Sequence, residues 1–192
     1  MRSFDIVALA ASAGGLNALT HVLHGLPADF AAGIVVVQHL DPRHRSLMAD
    51  ILGRRTGLTV REARHGDHVS AGTVMIAPPN NHLLVNQGGT LTLTQTELVH
   101  FVRPSADLLF ESTAAAYRER AIAVVLSGSG TDGAMGVKAI KKMGGTVIVQ
   151  DQESSEFGGM PEAAQRTGIV DFVLPLQEIA LALQTLVNSN PS

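Results

Sequence analysis

The sequence predicts an α/β fold with a doubly wound, mostly parallel sheet and an antiparallel hairpin elaboration. Three observations predict this fold. Short apolar runs alternate with segments of helical spacing along most of the chain, which is typical of strands joined by crossover helices. Glycine-rich segments follow two of the apolar runs, as at strand-to-helix turns. A middle segment, residues 58–94, contains short alternating runs that are typical of hairpin strands.

Two strand-helix units form the first half of the predicted sheet. Residues 6–11 are all apolar, which predicts a buried strand, and apolar residues then recur at helical spacing as far as Pro27. Residues 33–39 predict a β-branched second strand that ends at His39, and a second helix is expected after the polar loop at 41–45.

The hairpin elaboration is expected on one edge of the sheet, because residues 58–94 are too few for a stable core of their own. Beyond it, strands and helices alternate again to the end of the chain. We predict a helix from Pro104, strands at 121–126, 146–150 and 169–174, a helix that ends at Met143, and a last helix near 179–186. The expected organisation is a single domain over residues 1–187 with a frayed tail at 188–192.

Composition excludes several classes of function. The 192 residues include no cysteine, which removes thiol catalysis, disulfides and thiolate metal sites. A net charge of −3 without blocks of like charge gives no support to nucleic-acid binding, and no apolar stretch is long enough for membrane insertion. The apolar run at 6–11 follows Asp5 and is too short for a secretory signal, so a cytoplasmic location is expected.

Candidate catalytic side chains follow three of the predicted strands, where binding groups gather in open α/β sheets. Ser12 opens the first helix, His39 ends the second strand, and Asp132 lies in the glycine-rich loop after the strand at 121–126. A neutral histidine can accept a serine proton, and free N–H groups at a helix start suit an oxyanion. Each residue also has a structural interpretation: Ser12 as a helix cap, His39 as a hydrogen-bonded rim residue, and Asp132 as a loop residue that binds local amides.

The loop at 128–133 also fits the pattern of a dinucleotide-binding turn. It has glycines at the required spacing between a strand and a helix, and Asp151 follows at about the distance expected for a ribose-binding acid. Against this alternative, Asp132 would place a carboxylate inside a loop that must hold a negative pyrophosphate. Spacing alone leaves the dinucleotide hypothesis open.

Two weaker clusters complete the survey. His65 and His68, with Asp67 between them, could bind a metal, but a surface turn is favoured because no further ligands lie nearby in sequence. Arg43 and Arg45 are candidates for a substrate-facing rim near His39, although a solvated charged face is the simpler interpretation of the arginines. Met160 is a further candidate for this rim, with a core or pocket-lining position as its simpler interpretation.

Six segments in order carry a resemblance to a known family. They are ASAGG at 11–15, QHL at 38–40, IAPPNNH at 76–82, RPSADLLF at 103–110, GSGTDG at 128–133 and GMP at 159–161. Taken together, the chain from about residue 6 to 183 resembles the catalytic domain of the bacterial chemotaxis protein-glutamate methylesterase family, CheB.

The resemblance implies a serine hydrolase that removes methyl groups from glutamate γ-methyl esters on the methylated cytoplasmic helices of chemoreceptors. It also implies a second reaction, deamidation of receptor glutamines, and no cofactor or metal. Carried across, Ser12 matches the nucleophile, His39 the histidine and Asp132 the aspartate of the family. A catalytically silent receptor-binding module is the alternative within this resemblance.

The family's oxyanion donors are backbone amides, which fall here on Ala13 and Ser129 and line the pocket with Gly14 and Gly130. This sequence departs from the family at several side chains: the family usually has threonine at positions 13 and 127, methionine at 129 and proline at 16. Backbone donors survive such changes, but the fit of the substrate can differ. Family members also commonly carry an N-terminal receiver domain, so a receiver or other signalling protein acting in trans is an expected partner.

Overall fold

A seven-stranded, all-parallel sheet forms the centre of the computed structural model, which describes residues 4–41, 43 and 46–189. The strand order is β3-β4-β2-β1-β7-β8-β9. The bounds of these strands are β1 Ile6–Ala11, β2 Gly33–Gln38, β3 Thr59–Glu62, β4 Thr73–Ile76, β7 Ala121–Val125, β8 Thr146–Gln150 and β9 Phe172–Leu174. The central strands β1 and β2 are completely buried, which explains why all their residues except Gln38, at the end of β2, are apolar.

Six α-helices cover both faces of the sheet. They are α1 Gly15–His24, α2 Met48–Gly53, α3 Ala106–Tyr117, α4 Ala134–Lys142, α5 Gly159–Gln165 and α6 Leu176–Asn188. Because neighbouring strand residues point to opposite faces, Val7 and Leu9 join a core with α1, α2 and α6, whereas Ile6 and Ala8 join a core with α3, α4 and α5. The predicted doubly wound fold is confirmed.

The antiparallel elaboration is smaller than the sequence suggested and differently placed. Among the named strands of the described residues, β5 (His82–Val85) and β6 (Leu91–Thr94) are the one antiparallel pair, and they form a separate two-stranded sheet. This hairpin packs against α3, where the Ser112 hydroxyl accepts the N–H of Val85 at 3.0 Å. The segment at 73–76, expected in the hairpin, is instead the parallel strand β4 beside β2, because its burial on both faces requires a central position.

Three further differences concern single elements. Helix α5 lies in a region that the sequence prediction treated as loop, since its seven residues carry too short a period to recognise. The strand predicted at 169–174 is only three residues long, and the last helix begins three residues earlier than expected, at Leu176. Of the predicted frayed tail, Asn188 still belongs to α6, and residues 190–192 lie outside the described part of the chain.

Among residues 4–41, 43 and 46–189, the helices are all too short or too polar to cross a lipid bilayer.

Candidate active site

Three loops meet at the carboxyl ends of three adjacent strands. Ser12 directly follows β1, His39 directly follows β2, and residues 126–133 follow β7. Backbone hydrogen bonds align the loops: the N–H of Ser12 donates to the carbonyl of Ser127 at 3.0 Å, and the N–H of His39 donates to Ala11 at 3.1 Å. The Ser127 hydroxyl adds a third connection by donating to the carbonyl of Ala13 at 2.8 Å. The strand order therefore brings together the three residues that the sequence singled out.

His39 and Asp132 form a close pair. Nε2 of His39 lies 2.7 Å from Oδ2 of Asp132. The His39 side chain is 15% exposed, whereas Asp132 is buried. Because Nε2 faces the carboxylate, Nδ1 is the ring nitrogen left to exchange protons with a neighbouring group. The hydroxyl of half-buried Ser12 has no hydrogen-bond partner among the described residues, so it is free to engage a substrate or Nδ1.

The N-terminus of α3 holds the Asp132 carboxylate. Oδ1 accepts hydrogen bonds from the Ser105 hydroxyl and the N–H of Asp107, both at 3.0 Å, and Oδ2 accepts from the N–H of Ala106 at 2.6 Å. Burial by itself raises the pKa of Asp132, but the hydrogen bonds from His39 and from these two backbone groups outweigh it and lower the pKa below its usual value. Asp132 is therefore fixed and ionised beside His39.

A second aspartate, Asp107, accepts backbone N–H groups at the start of α4 in the same way as Asp132 does at the start of α3. Oδ1 of buried Asp107 accepts the N–H groups of Gly133 at 3.0 Å and Gly136 at 2.7 Å, at the start of α4. Burial raises the pKa of Asp107, and the nearby charge of Asp132 raises it further, against the lowering by these two N–H groups. The two aspartates thus bind each other's helix termini and lock the loop that carries Asp132.

His82 and Arg103 form further hydrogen bonds among the segments that precede α3. Fully buried His82 accepts the N–H of Ser105 on Nδ1 at 3.1 Å and donates from Nε2 to the carbonyl of Glu97 at 2.9 Å. Arg103 donates to Oδ1 of Asn80 from Nε at 3.0 Å and from Nη2 at 2.6 Å. Sequence reasoning gave no role to Ser105, Asp107 or His82. The cap pattern around Ser105 was the one local signal for such a role, since a serine at a helix start commonly caps it.

Free backbone donors surround Ser12. No described residue accepts a hydrogen bond from the N–H groups of Ala13, Gly14, Ser129 or Gly130. The two loops that carry them are in contact at Gly128, where an added Cβ would lie 2.8 Å from Cβ of Ser12 and 2.4 Å from Sδ of Met160. Preorganised, unpaired N–H groups next to a hydroxyl nucleophile can stabilise a developing oxyanion.

The predicted substrate rim stays a prediction. Met160 is fully buried beneath Gly128, which favours its interpretation as a core or pocket-lining residue over a place on the rim. The exposed side chain of Arg43 is hydrogen-bonded to Asp41 through Nε at 3.0 Å and Nη2 at 2.8 Å. Arg45 lies outside the described residues.

The residues behind the other motifs have local partners. Oδ1 of Asp151 accepts the N–H of Ser154 at 2.9 Å and its hydroxyl at 2.6 Å. The carboxylate that a dinucleotide site would need for a ribose is therefore engaged in its own turn, and Asp132 faces His39 from within the glycine-rich loop. In the weaker cluster, Asp67 binds Arg61 at 2.6 Å, and Nδ1 of His68 lies 3.0 Å from the carbonyl of Val69.

Comparison with known proteins adds independent information to this geometry. Residues 7–183 match the family described as CheB methylesterase. The chain belongs to the CheB methylesterase family. The crystal structure of the Thermotoga maritima CheB methylesterase catalytic domain superimposes with a TM-score of 0.92 at 38% identity, covering 96% of this chain and all of that one.

Relatives of this CheB-family chain differ in length. A protein of Leptospira interrogans is 38% identical over 93% of this chain and 92% of its own length. The protein-glutamate methylesterase/protein-glutamine glutaminase 2 of Anaeromyxobacter dehalogenans is 44% identical over 95% of this chain, but only 53% of its own length is covered. The chain thus spans about half the length of some relatives and nearly all of another.

Proposed function

We propose that this chain is a protein-glutamate methylesterase, a serine hydrolase that removes methyl groups from glutamate γ-methyl esters and releases methanol. One observation carries the proposal: a buried, ionised Asp132 holds His39 by Nε2 at the end of β2, the strand next to β1, which Ser12 follows. Membership of the CheB family and the names of its relatives support the choice of ester.

The reaction proceeds in two halves on these residues. Nδ1 of His39 takes the Ser12 proton as Oγ attacks the ester carbonyl, and the amides of Ala13 and Ser129 stabilise the oxyanion. His39 then returns the proton to the departing methoxide, which leaves as methanol and gives a glutamyl ester of Ser12. Water, deprotonated by His39, attacks this ester and releases the γ-carboxylate and free Ser12. Asp132 orients the ring throughout and stabilises the transient imidazolium.

Deamidation of a protein glutamine follows the same steps, with ammonia as the leaving group in place of methanol. The names of the relatives pair the two activities. We extend this pairing to the chain because Ser12, His39 and the oxyanion donors would act on the acyl carbon, which both reactions share, and the two reactions differ only in the leaving group.

We propose the methylated cytoplasmic helices of chemoreceptors as the protein substrate, and a receiver-domain protein as a partner that acts in trans. The first assignment follows from the CheB family and from the exposed loops around Ser12, which leave room for a macromolecular substrate. The second follows from the length of the relatives, which extend well beyond the region matched here.

The deciding experiment is methanol release from a methyl-esterified chemoreceptor cytoplasmic fragment. Ser12→Ala should lose a factor of about 10⁴ or more in kcat, because the nucleophile is gone while the fold is not disturbed. Ser70→Ala, which changes an exposed serine in the loop before β4, is the matched control and should retain wild-type turnover. Binding of the fragment without methanol release by the wild type would instead indicate a silent receptor-binding module.

A further inference from the structure

A strained turn displays one phenylalanine to solvent. Val99 and Val102 exchange backbone hydrogen bonds at 3.1 and 2.9 Å, which closes a two-residue turn. Both residues of the turn have left-handed backbone conformations, with φ of 47° at His100 and 67° at Phe101. Asn-Gly is the usual choice for such a turn, because a larger side chain there is strained. Phe101 is nevertheless 94% exposed, so no burial in this chain offsets the strain.

The turn is fixed firmly to the catalytic apparatus. On one side, His82 binds the carbonyl of Glu97 at 2.9 Å. On the other side, Arg103 binds the carbonyl of Thr96 at 2.8 Å. At the turn itself, Nε2 of His100 lies 3.7 Å from Oδ2 of Asp107, the residue whose backbone N–H holds Asp132. Phe101 is therefore presented at a defined place next to the site.

Other exposed apolar side chains lie on the remaining loops of the site. Leu16 follows the Ser12 loop by one residue of α1, Met135 lies in the first turn of α4 just after Asp132, and Phe157 is bonded through its backbone to Ser127 and Gly128. Each of these three is more than a third exposed. We call these residues, with Phe101, the apolar collar. Exposed apolar residues grouped around one site indicate an interaction surface.

We propose that the apolar collar, with Phe101 as its anchor, docks the apolar face of the substrate helix on either side of the esterified glutamate. This proposal rests on the proposed function. A glutamyl side chain has only two methylenes between its Cα and the ester carbon, so the segment that carries it must lie directly over Ser12 and against the loops of the collar. In a helix, the residues three and four positions away lie on the same face as the target and would contact the collar.

The test compares two substrates and two exposed apolar residues. For the esterified receptor fragment, Phe101→Ala should lower kcat/KM about tenfold relative to its value for the small ester N-acetylglutamate γ-methyl ester, mainly through KM. Leu181→Ala on α6, 67% exposed and on a helix that carries no collar residue, is the matched control and should leave the ratio of the two kcat/KM values unchanged. Phe101→Gly should also lower the ratio while raising Tm by about 2–4 °C, because glycine accepts the left-handed conformation.

The alternative outcomes have distinct meanings. A wild type that cleaves neither ester contradicts the proposed function itself. Equal losses on both substrates in Phe101→Ala would overturn the docking role and assign Phe101 to support of the catalytic residues. Unchanged kcat/KM values for both substrates in both Phe101 variants would show that the substrate does not contact the turn. Dissociation of a dimer by Phe101→Ala, with the ratio unchanged, would make the collar a surface for a second copy of the chain and overturn the proposal.

Discussion

At the scale of single residues, the site depends on two buried carboxylates that perform the same task for each other's loops. Asp132 accepts the first N–H groups of α3, and Asp107 accepts those of α4. Their electrostatics differ because only Asp132 has His39 as a partner. Its pKa is lowered, whereas the pKa of Asp107 is raised by burial and by the charge of Asp132. Asp132 must therefore be charged for the site to work, whereas the charge of Asp107 is only tolerated.

Replacing Asp132 should damage both catalysis and acid-dependent stability. Asp132→Asn should lower kcat by about 10³–10⁴, because an amide no longer selects the His39 tautomer or stabilises its cation. A lowered pKa in the folded state means that ionised Asp132 stabilises the fold above the carboxyl pKa of the unfolded chain. That contribution is lost as pH falls through the folded-state pKa. Unfolding free energy measured from pH 2 to 7 should therefore rise more steeply in the wild type than in Asp132→Asn.

Asp107→Asn is the informative comparison, since it changes the neighbouring carboxylate in the same way. Asn can still accept the N–H groups of Gly133 and Gly136 on Oδ1. A raised folded-state pKa means that the favourable contribution of Asp107 is present at low pH and lost as pH rises through that pKa. Asp107→Asn should thus have a Tm at pH 7 equal to or above that of the wild type and keep most of the activity. A large loss of Tm would contradict this reading of its charge.

The residues of the pair show which parts of the site a sequence can predict. Ser12, His39 and Asp132 could be proposed because each follows a recognisable strand in a parallel sheet. The role of Asp107 could not, because its partners are backbone N–H groups 26 and 29 residues away and leave no side-chain pattern. For Met160 the sequence left a choice between the core and the substrate rim, because its burial depends on α5, a helix that the sequence did not predict.

At the scale of elements, the glycine-rich loop after β7 is held between two others. Gly128 donates its N–H to Phe157 and accepts from Met160 at the start of α5, both at 2.9 Å. Its Cα faces Ser12 so closely that a side chain would meet Cβ of Ser12 at 2.8 Å. Glycine is required at position 128 because the two backbones approach so closely. The hydrogen bond from Met160 in α5 fixes the position of the loop relative to Ser12.

Gly128→Ala should therefore misplace the oxyanion donors. The added methyl would lie 2.4 Å from Sδ of Met160 and 3.1 Å from the backbone nitrogen of Ser12, so the loop must move away. Displacements of this kind near a reacting atom cost on the order of 10²-fold in kcat. Gly53→Ala in α2 is the control, because its new methyl would make only ordinary contacts, the nearest at 3.7 Å. Ester hydrolysis by both variants, with Tm as a check on folding, decides the matter. Equal kcat in the two would contradict the assigned role of the loop.

Prediction of the elements succeeded where a period was long or a run was wholly apolar. Strands β1, β2 and β8 and helix α1 were recognisable for this reason. Strand β4 is as short as β5 and β6, at four residues each. No local sequence feature therefore distinguishes a parallel partner of β2 from a hairpin strand. Its pairing is decided by the crossover from β2, which no local pattern records.

At the scale of the whole molecule, the order β3-β4-β2-β1-β7-β8-β9 determines where chemistry can occur. The chain extends from β1 toward β2 on one side and resumes with β7 on the other, so the sheet changes direction of growth beside β1. Crossover connections leave a crevice at such a point. Ser12, His39 and the loop of Asp132 follow the three strands that border it. His39 and Asp132, 93 positions apart in the chain, are thus brought into hydrogen-bond contact by the topology of the sheet.

This crevice is open to solvent, and from this we predict how the esterase activity is regulated. Ser129 and Gly130 are exposed, the His39 side chain is 15% exposed, and Ser12 is half-buried. We expect the 192-residue chain to hydrolyse N-acetylglutamate γ-methyl ester at the same rate with or without a phosphodonor such as acetyl phosphate. Ser12→Ala controls for uncatalysed hydrolysis. The same assay with an added phosphorylated receiver protein tests regulation in trans, because a separate protein must bind this chain to change the rate. A several-fold rise in kcat/KM on that addition would support the proposed partner in trans, whereas a dependence of the chain alone on acetyl phosphate would contradict the expected open access.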